Sequence, residues 1–496
     1  MSDIADIFVI GGGINGCGIA ADAAGRGLSV VLVEQNDLAS GTSSASTKLI
    51  HGGLRYLEYY EFLLVRKALK EREVLLRSAP HIIKPLRFLL PHHKGLRPAW
   101  LIRLGLFLYD YMGGRKILPP TTDVDLKTGE FAGLLKDEFE QAFEYSDCWV
   151  DDARLVILNA MRAREKGAII LPRHKCVKAS RGAGVWHIGI QDVVSGEYKT
   201  VTAKVLINAA GPWVDEVIED TIEQVGSKLM RLVKGSHIIV KQIFSHDRAF
   251  IFQGADGRII FAIPYEGDYT LIGTTDLNFD GEIGDVAILD SEVTYLCDMA
   301  SVYFKNPIKT GDVIASYAGV RPLYDDGASK AKEATRDFVL RLDKENGLLN
   351  IIGGKITTYR VLAEKALSKL ERYFPLMEDK WTASNPLPGG EFELGEYDYY
   401  QNKLINDFPF LSEKNTARIF KAYGRRSFDI LENVTSLDDM GEHFGCGLYE
   451  KEVAYLITAE WAMTAEDVLF RRGKLGLHMS ADQINGLKNW FSKSSE

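Results

Sequence analysis

The sequence predicts an α/β dinucleotide-binding domain of the Rossmann-like type, an α+β domain on an antiparallel sheet, and an α-helical C-terminal cap domain. Three observations support this fold class. A βαβ pattern opens the chain, with apolar strand-like runs at 7–10 and 29–34 flanking a small-residue helix. Mixed strand runs lie between residues 230 and 275. After a Pro- and Gly-rich linker at 385–390 the pattern is helical.

The remaining elements follow from the same patterns. A charged, Leu-rich segment at 56–78 predicts a helix, and Ser480 with Gln483 forms the capping-box start of a last helix. Further strands are expected at 205–208, 236–240, 259–263, 269–272 and 348–352.

Composition narrows the functional class. A chain of 496 residues requires two or three domains. Its net charge of -9 argues against a general nucleic-acid binder. The 5 cysteines are scattered, so neither a metal site nor a disulfide framework is expected. We find no secretory signal, and the longest uncharged run, at 7–21, is too short to span a bilayer.

The strongest motif is a glycine turn placed between the first strand and the first helix. Gly11 permits the turn, Gly13 lets the backbone approach a pyrophosphate, and Gly16 allows the helix to pack closely on the strand. Glu34 ends the second strand, where a ribose hydroxyl would lie. Together these positions predict dinucleotide binding.

Two features favour FAD over NAD as that dinucleotide. The motif lies at the extreme N-terminus with Glu34 closing the second strand, and we see no second nucleotide motif. The segment 42–56 also combines hydroxyls, a lysine and paired glycines, which can donate to phosphate oxygens and lie flat against a ring.

At this segment the chain resembles the FAD-dependent glycerol-3-phosphate dehydrogenases of the respiratory, aerobic type, within the glycine-oxidase-like and D-amino-acid-oxidase-like flavoproteins. Matching stretches run through most of the chain. They are 10–18, 42–58, 144–155, 208–214, 234–238, 272–276, 318–322, 335–337 and 353–360.

The resemblance implies a division into three domains. The FAD-binding domain would comprise 1–80, 145–230 and 310–380, and the substrate domain, with a membrane-facing base, 81–144 and 231–309. The helical cap would comprise 391–496. The expected cofactor-binding residues are Gly11, Gly13, Asn15, Gly16, Glu34, Thr42, Ser43, Ser44, Lys48, His51, Gly52, Gly53, Val177, Ala209, Gly211, Gly354, Lys355 and Thr357.

The implied reaction oxidises sn-glycerol 3-phosphate to dihydroxyacetone phosphate, with hydride passing from C2 to N5 of FAD and electrons then passing to a membrane quinone. A phosphate dianion needs several cations, and the guanidinium fork of arginine suits it best. The candidates for the phosphate site are Arg55, Tyr56, Arg321 and Arg336.

The C2 hydroxyl must also lose a proton to a base. Histidine meets this need with its ordinary pKa, and His237 in the 234–238 strand is the first choice. Lys355 is the alternative base, or an electrophile facing the flavin, and Arg321 completes the expected catalytic set. His51 is expected to pack against the flavin or its phosphates.

The segment 84–116 combines many basic residues with many large apolar residues. It holds Lys84, Arg87, Lys94, Arg97, Arg103, Arg115 and Lys116 against a single acidic residue, Asp110. Basic residues among Trp and Leu predict an element lying on an anionic lipid surface. The alternative is a buried helix whose arginines pair inside the protein. On the first interpretation the enzyme is cytoplasmic and peripheral on the inner face of the bacterial cytoplasmic membrane.

Other functions remain open at this point. A soluble glycerol-3-phosphate oxidase, which reduces oxygen to peroxide, shares the whole flavin fingerprint. A flavin-binding module without turnover would not need Arg55, Arg321 and His237. The sequence also leaves the oligomeric state open, with a homodimer among the alternatives.

Overall fold

The structure, a computed structural model, describes residues 4–93, 95–224, 228–254, 256–325 and 337–494. Its strands are β1 Ala5–Ile10, β2 Val30–Glu34, β3 Leu49–Ile50, β4 Ile83–His92, β5 Thr122–Asp125, β6 Gln141–Val150, β7 Ile169–Pro172, β8 His174–Gly182, β9 Val185–Asp192, β10 Tyr198–Asn208, β11 Met230–Lys241, β12 Ala249–Gln253, β13 Ile259–Tyr265, β14 Tyr269–Gly273, β15 Leu277–Asn278, β16 Val313–Tyr324, β17 Val339–Asp343, β18 Leu348–Ile352, β19 His443–Gly445 and β20 Leu448–Tyr449. Its α-helices are α1 Ile14–Gly25, α2 Phe62–Ser78, α3 Ala99–Met112, α4 Asp152–Glu165, α5 Val214–Glu216, α6 Asp290–Tyr303, α7 Tyr359–Leu370, α8 Tyr397–Asp407, α9 Glu413–Tyr423, α10 Arg426–Ile430, α11 Glu450–Glu460 and α12 Ala481–Ser494.

The first sheet is the predicted nucleotide-binding sheet, with strand order β17-β18-β10-β1-β2-β7. Strand β1 pairs in parallel with both β10 and β2, and β10 pairs in parallel with β18. The apolar strands are buried because α1, α4 and α7 cover the sheet. The carboxyl ends of β1, β2, β10 and β18 therefore meet at one edge, where open α/β sheets bind ligands.

The second sheet runs β15-β11-β14-β13-β12-β4-β6-β3, with β16 paired to β11 and β5 to β6. Apart from the parallel pairing of β12 with β4, its ladders are antiparallel, as expected. Strands β6 and β16 belong to this sheet, although the predicted boundaries place most of β6 and all of β16 in the FAD-binding domain. The boundary at 144/145 cuts through β6, because a local apolar pattern does not reveal which sheet a strand joins.

The C-terminal part is helical and packs its own core around Leu404, Phe420 and Leu456. The predicted capping box is present: the N–H of Ser480 donates to Gln483 at 2.9 Å, and the N–H of Gln483 donates to Ser480 at 3.3 Å. The segment at 385–390 is not a loose linker, because Leu387 is fully buried and its N–H donates to the carbonyl of Ser78 at 2.8 Å.

Residues 84–116 divide into a buried and an exposed part. The first part is β4, whose Phe88 and Leu89 are buried in the second sheet and whose Arg87 pairs with Glu144 at 2.9 Å. Continuous apolar runs are typical of buried strands as well as of lipid-facing elements, so the sequence did not separate the two. Lys94 lies outside the described residues.

The second part contains α3, which carries an exposed apolar surface. Its exposed side chains are Trp100, Leu104, Phe107, Leu108 and Tyr111. In the described ranges, no helix has both the length and the apolar character needed to cross a membrane.

Candidate active site

The glycine turn between β1 and α1 has no room for side chains. Gly11 adopts φ +113, and a Cβ at this position would lie 2.5 Å from the carbonyl oxygen of Ala209. A Cβ at Gly16 would lie 1.9 Å from the carbonyl oxygen of Gly11. Only glycine therefore fits at these two positions, where backbone packs on backbone at the carboxyl end of β1, as the motif predicts.

We expect Gly16→Ala to weaken FAD binding roughly 5- to 150-fold, since relieving an overpacked contact costs about 1–3 kcal/mol. The measurement is the dissociation constant of FAD by titration of the apoprotein. Gly486→Ala is the matched control, because it also lies in a helix but has open space around its Cβ position. Equal affinity in the two variants would contradict the assigned packing.

A cavity of about 200 Å³ adjoins this turn. Seven of the expected cofactor residues line it: Gly11, Gly13, Glu34, Thr42, Ser43, Ala209 and Gly211. The Glu34 carboxylate accepts from the N–H groups of Gly12 at 2.8 Å and Asn36 at 2.9 Å, and burial raises its pKa. Backbone donors and a fixed carboxylate suit the diphosphate and ribose of a dinucleotide.

A second group of expected residues forms the other end of the cleft. The Asn15 amide donates to the carbonyl of Gly353 at 3.1 Å, and the N–H of His51 donates to the Thr357 hydroxyl at 3.3 Å. These two contacts join the N-terminal helix, the segment 51–53 and the segment 353–358. The Oδ1 atom of Asn15 is buried without a hydrogen-bond partner in the protein, so this end offers an unused acceptor to a ligand.

Three expected cofactor residues occupy other surroundings. Lys48 is buried and its ammonium donates to both oxygens of Asp152 at 3.0 Å, so it anchors the loop on α4 instead of presenting a free cation. The Ser44 hydroxyl donates to the carbonyl of Gly41 at 3.4 Å. Val177 lies in the β-bulge of β8, between Cys176 and Lys178.

Two of the predicted catalytic residues, Arg321 and Lys355, are cations whose charges reach His51. The guanidinium of Arg321 donates to the Thr274 hydroxyl at 3.1 Å and to Asp276 at 3.4 Å. Lys355 lies over the Tyr56 ring, with its Nζ 3.6 Å from the ring centre. Both cations act electrostatically on His51. The sequence motifs contained Thr274 and Asp276, but sequence reasoning assigned them no role.

The other two predicted arginines are not placed in this group. The Arg55 guanidinium donates to the hydroxyl of Tyr59, an exposed residue, at 3.3 Å. Arg336 lies outside the described residues. Its neighbour Asp337 pairs with Lys67 at 2.9 Å.

The structure argues against His237 as the group that contacts substrate. Its side chain is 0% exposed, its ring stacks on Tyr317, and its Nε2 is 2.9 Å from the Thr47 hydroxyl. Burial, then Arg321 and Lys48, hold its pKa well below the ordinary value. The sequence assigned no role to Tyr317 or Thr47, because contacts between segments that are distant in the chain leave no local signal.

His51 is the better placed histidine. It is partly exposed, and Phe261 packs edge-on against it with ring centres 6.4 Å apart. Desolvation of the ring by the residues packed around it, then the charges of Lys355, Arg72 and Arg321, lower its pKa to about 3. A neutral imidazole beside these cations can accept a proton from a bound alcohol, and an anionic ligand there would raise its pKa.

In the described part of the chain, no group of His, Cys, Asp or Glu side chains is arranged to hold a metal ion.

Comparison with known proteins identifies the family. The family described as FAD dependent oxidoreductase matches residues 6–360. The chain belongs to the FAD-dependent oxidoreductase family. The predicted cofactor, FAD, is thereby confirmed, and the C-terminal cap of this oxidoreductase, at 380–486, matches the C-terminal domain of alpha-glycerophosphate oxidase.

Similar proteins support the predicted resemblance. The oxidoreductase is 50% identical to a D-erythritol 1-phosphate dehydrogenase of Brucella abortus, over 99% of this chain and 98% of that protein. It is 50% identical to a glycerol-3-phosphate dehydrogenase of Pseudomonas aeruginosa (97% and 94% of the chains) and 46% identical to the aerobic glycerol-3-phosphate dehydrogenase of Escherichia coli (98% and 97%).

A solved structure shares the fold over the whole length. The glycerol-3-phosphate dehydrogenase of Bacillus halodurans complexed with FAD is 27% identical, with a TM-score of 0.79, over 99% of this chain and 94% of that one. The fold class and the resemblance predicted from the sequence are confirmed.

Proposed function

We propose that this oxidoreductase converts sn-glycerol 3-phosphate to dihydroxyacetone phosphate and passes the electrons to a membrane quinone. The observation that supports it is the set of Arg321, Lys355 and His51 at the end of the glycine cleft. The names of the relatives point to the same substrate class, a phosphate monoester of a polyol. Bound FAD supplies the two-electron acceptor.

Each residue has a chemical role in this proposal. Arg321 binds the substrate phosphate with its guanidinium fork, which Thr274 and Asp276 hold in position. His51 accepts the proton of the C2 hydroxyl. Lys355 adds positive charge beside the reacting carbon and favours an oxyanion over the neutral alcohol. His237 acts as a positioning residue that holds the Thr47 hydroxyl in the segment 42–56.

A longer polyol phosphate is a second candidate substrate, because one relative at 50% identity is named a D-erythritol 1-phosphate dehydrogenase. Anaerobic titration of the holoenzyme with each phosphate tests both. We expect sn-glycerol 3-phosphate to bleach the flavin absorbance at the lower concentration. If only D-erythritol 1-phosphate bleaches the flavin, it replaces sn-glycerol 3-phosphate as the proposed substrate. If neither phosphate bleaches the flavin, the proposal is contradicted.

The proposed lipid face comprises Tyr59, Tyr60, Phe62 and Leu63 together with the exposed side chains of α3. Leu63 is 82% exposed and Trp100 is 68% exposed, and α3 contacts both α2 and the segment 54–59. Soluble proteins seldom leave large apolar patches uncovered. Arg97, just before α3, and Arg103, within it, are exposed and pair with Glu58 and Asp123. Cations among aromatic residues suit anionic headgroups. An enzyme bound to the lipid surface would hold its flavin within reach of a quinone dissolved in the membrane.

We expect the combined change Trp100→Gln, Arg103→Gln and Phe107→Gln to weaken binding to phosphatidylglycerol vesicles roughly 10²-fold or more, since each buried aromatic contributes about 1.5–3 kcal/mol. The measurement is co-sedimentation at low salt. Without vesicles, reduction of a water-soluble dye should match the parent enzyme. The control is Val194→Gln with Tyr198→Gln, which are exposed on another surface. A parent enzyme that ignores vesicles would contradict the lipid face.

A further inference from the structure

The helix that carries the lipid face is tied to the cofactor cleft by one buried carboxylate. The hydroxyl of Tyr109, on the inner side of α3, lies 2.9 and 2.8 Å from the two oxygens of Asp147 and donates to this carboxylate. The same carboxylate accepts the N–H of Gly52 at 3.3 Å. Asp147 therefore contacts both α3 and the segment 51–53.

This carboxylate is fully enclosed. Asp147 is 2% exposed and Tyr109 is 1% exposed. Arg72 of α2 pairs with Asp147 at 2.7 Å and also donates to the carbonyl of Ser146 at 2.6 Å. A buried charge requires all of its partners, so removing one partner changes how the carboxylate holds the others.

Gly52 leaves no free space between the helix and the cleft. A Cβ at this position would lie 2.7 Å from the Tyr109 hydroxyl and 2.5 Å from Leu69 of α2. Gly52 follows His51, whose N–H donates to Thr357 on the cofactor side. A displacement of Tyr109 is therefore transmitted directly to the backbone beside His51.

Helix α3 is held by its buried side chains, by Ile102 and Met112 packed against the same core, and by the ion pair of Arg103 with Asp123. Its buried side chains are Leu106, Tyr109 and Asp110. Asp110 accepts the N–H of Thr121 at 2.8 Å, which fixes the C-terminal end of the helix. The apolar side chains on the exposed side of α3 are uncovered, so a lipid surface covering that side would add contacts that hold the helix in place.

We propose that Tyr109 is a positioning residue: when α3 binds an anionic lipid surface, Tyr109 transmits this binding to the segment 51–53. The inference rests on the lipid face of the proposed function. When lipid covers α3, the hydrogen bonds from Tyr109 to Asp147 and from Gly52 to Asp147 are held together, and His51 is fixed against the cofactor cleft.

The test is hydrogen exchange of the FAD-loaded full chain, with and without phosphatidylglycerol vesicles, read on a peptide covering 49–57. Tyr109→Phe removes one hydroxyl and keeps the ring. Tyr303→Phe is the matched control, because Tyr303 is also 1% exposed and its hydroxyl donates to the carbonyl of Gln253 at 2.7 Å, away from the segment. A peptide covering β1 reports any global loss of stability.

Without vesicles, we expect Tyr109→Phe to speed exchange at 49–57 roughly fivefold to tenfold, the effect of a weakened hydrogen bond, with β1 unchanged. With vesicles, the parent and Tyr303→Phe should gain protection at 49–57, whereas Tyr109→Phe should bind vesicles and gain none. Asp147→Asn, which keeps an acceptor oxygen, serves as a second variant if Tyr109→Phe does not fold.

Two results would overturn the inference. Parental exchange at 49–57 in vesicle-free Tyr109→Phe would remove the positioning role. Equal vesicle protection in Tyr109→Phe and the parent would remove the transmission. If the parent enzyme does not bind vesicles, the lipid face is contradicted and the proposed transmission fails with it. The comparison without vesicles still decides whether Tyr109 positions the segment 51–53.

Discussion

Replacing His51 with alanine should slow reduction of the bound flavin by sn-glycerol 3-phosphate about 10²–10⁴-fold, the usual contribution of a general base. The reason is its position, partly exposed and beside Lys355 and Arg321. Stopped-flow absorbance under anaerobic conditions measures the rate. The same change at His237 should cost less, because its ring is sealed from substrate.

The comparison requires equal flavin content in both variants. If His237→Ala slows reduction as strongly as expected for a base while His51→Ala reduces flavin at the parental rate, the two histidines exchange roles. If both retain the parental rate, Lys355 becomes the base.

The pH dependence provides a second check on His51. The profile of kcat/KM reports groups of the free enzyme, and the pKa of His51 lies at about 3, so its ring is neutral throughout the range from about pH 5 to 9. His51 therefore adds no rise with pH in this range, whereas a histidine of ordinary pKa would. The phosphate of the substrate titrates near pH 6 in every variant, so parent and His51→Ala profiles should have the same shape.

Arg321→Lys should raise KM for the phosphate substrate strongly while FAD remains bound. Lysine keeps the charge but loses the paired donors, and disrupting a buried charged hydrogen-bonded pair costs about 2–5 kcal/mol. Steady-state kinetics with a soluble dye measures the effect. Arg181→Lys is the matched control, because its guanidinium donates to the carbonyl of Lys204, at the amino end of β1 and so at the opposite edge of the sheet from the cleft. Unchanged kinetics in Arg321→Lys would contradict its assignment to the phosphate.

The nucleotide-binding part of the fold was predictable because its requirements are local. The turn at Gly11 and Gly16 excludes side chains by backbone contact alone, and the adjacent strands are continuous apolar runs. The capping box at Ser480 is local in the same way. Such features leave a signature within a few residues of sequence.

The site was less predictable because burial and pairing depend on distant segments. His237 and His51 both lie in motif-rich stretches, and only the packing of three strands around His237 shows that it is sealed. The sequence predicts that Lys48 binds the cofactor phosphates, but in the structure Lys48 pairs with Asp152 of α4. The Asp147 contacts join segments that no motif connects.

The central claim is that the reduced flavin passes its electrons to a membrane quinone. The most direct test is to measure which acceptor reoxidises the flavin. The holoenzyme on phosphatidylglycerol vesicles is reduced with sn-glycerol 3-phosphate in the absence of oxygen, then mixed with either a lipid-soluble quinone or aerated buffer. We predict that the quinone restores the oxidised flavin spectrum within one turnover time, whereas oxygen acts far more slowly and yields little peroxide. Rapid reoxidation by oxygen, with peroxide formed in step with substrate consumed, would contradict the dehydrogenase and support an oxidase.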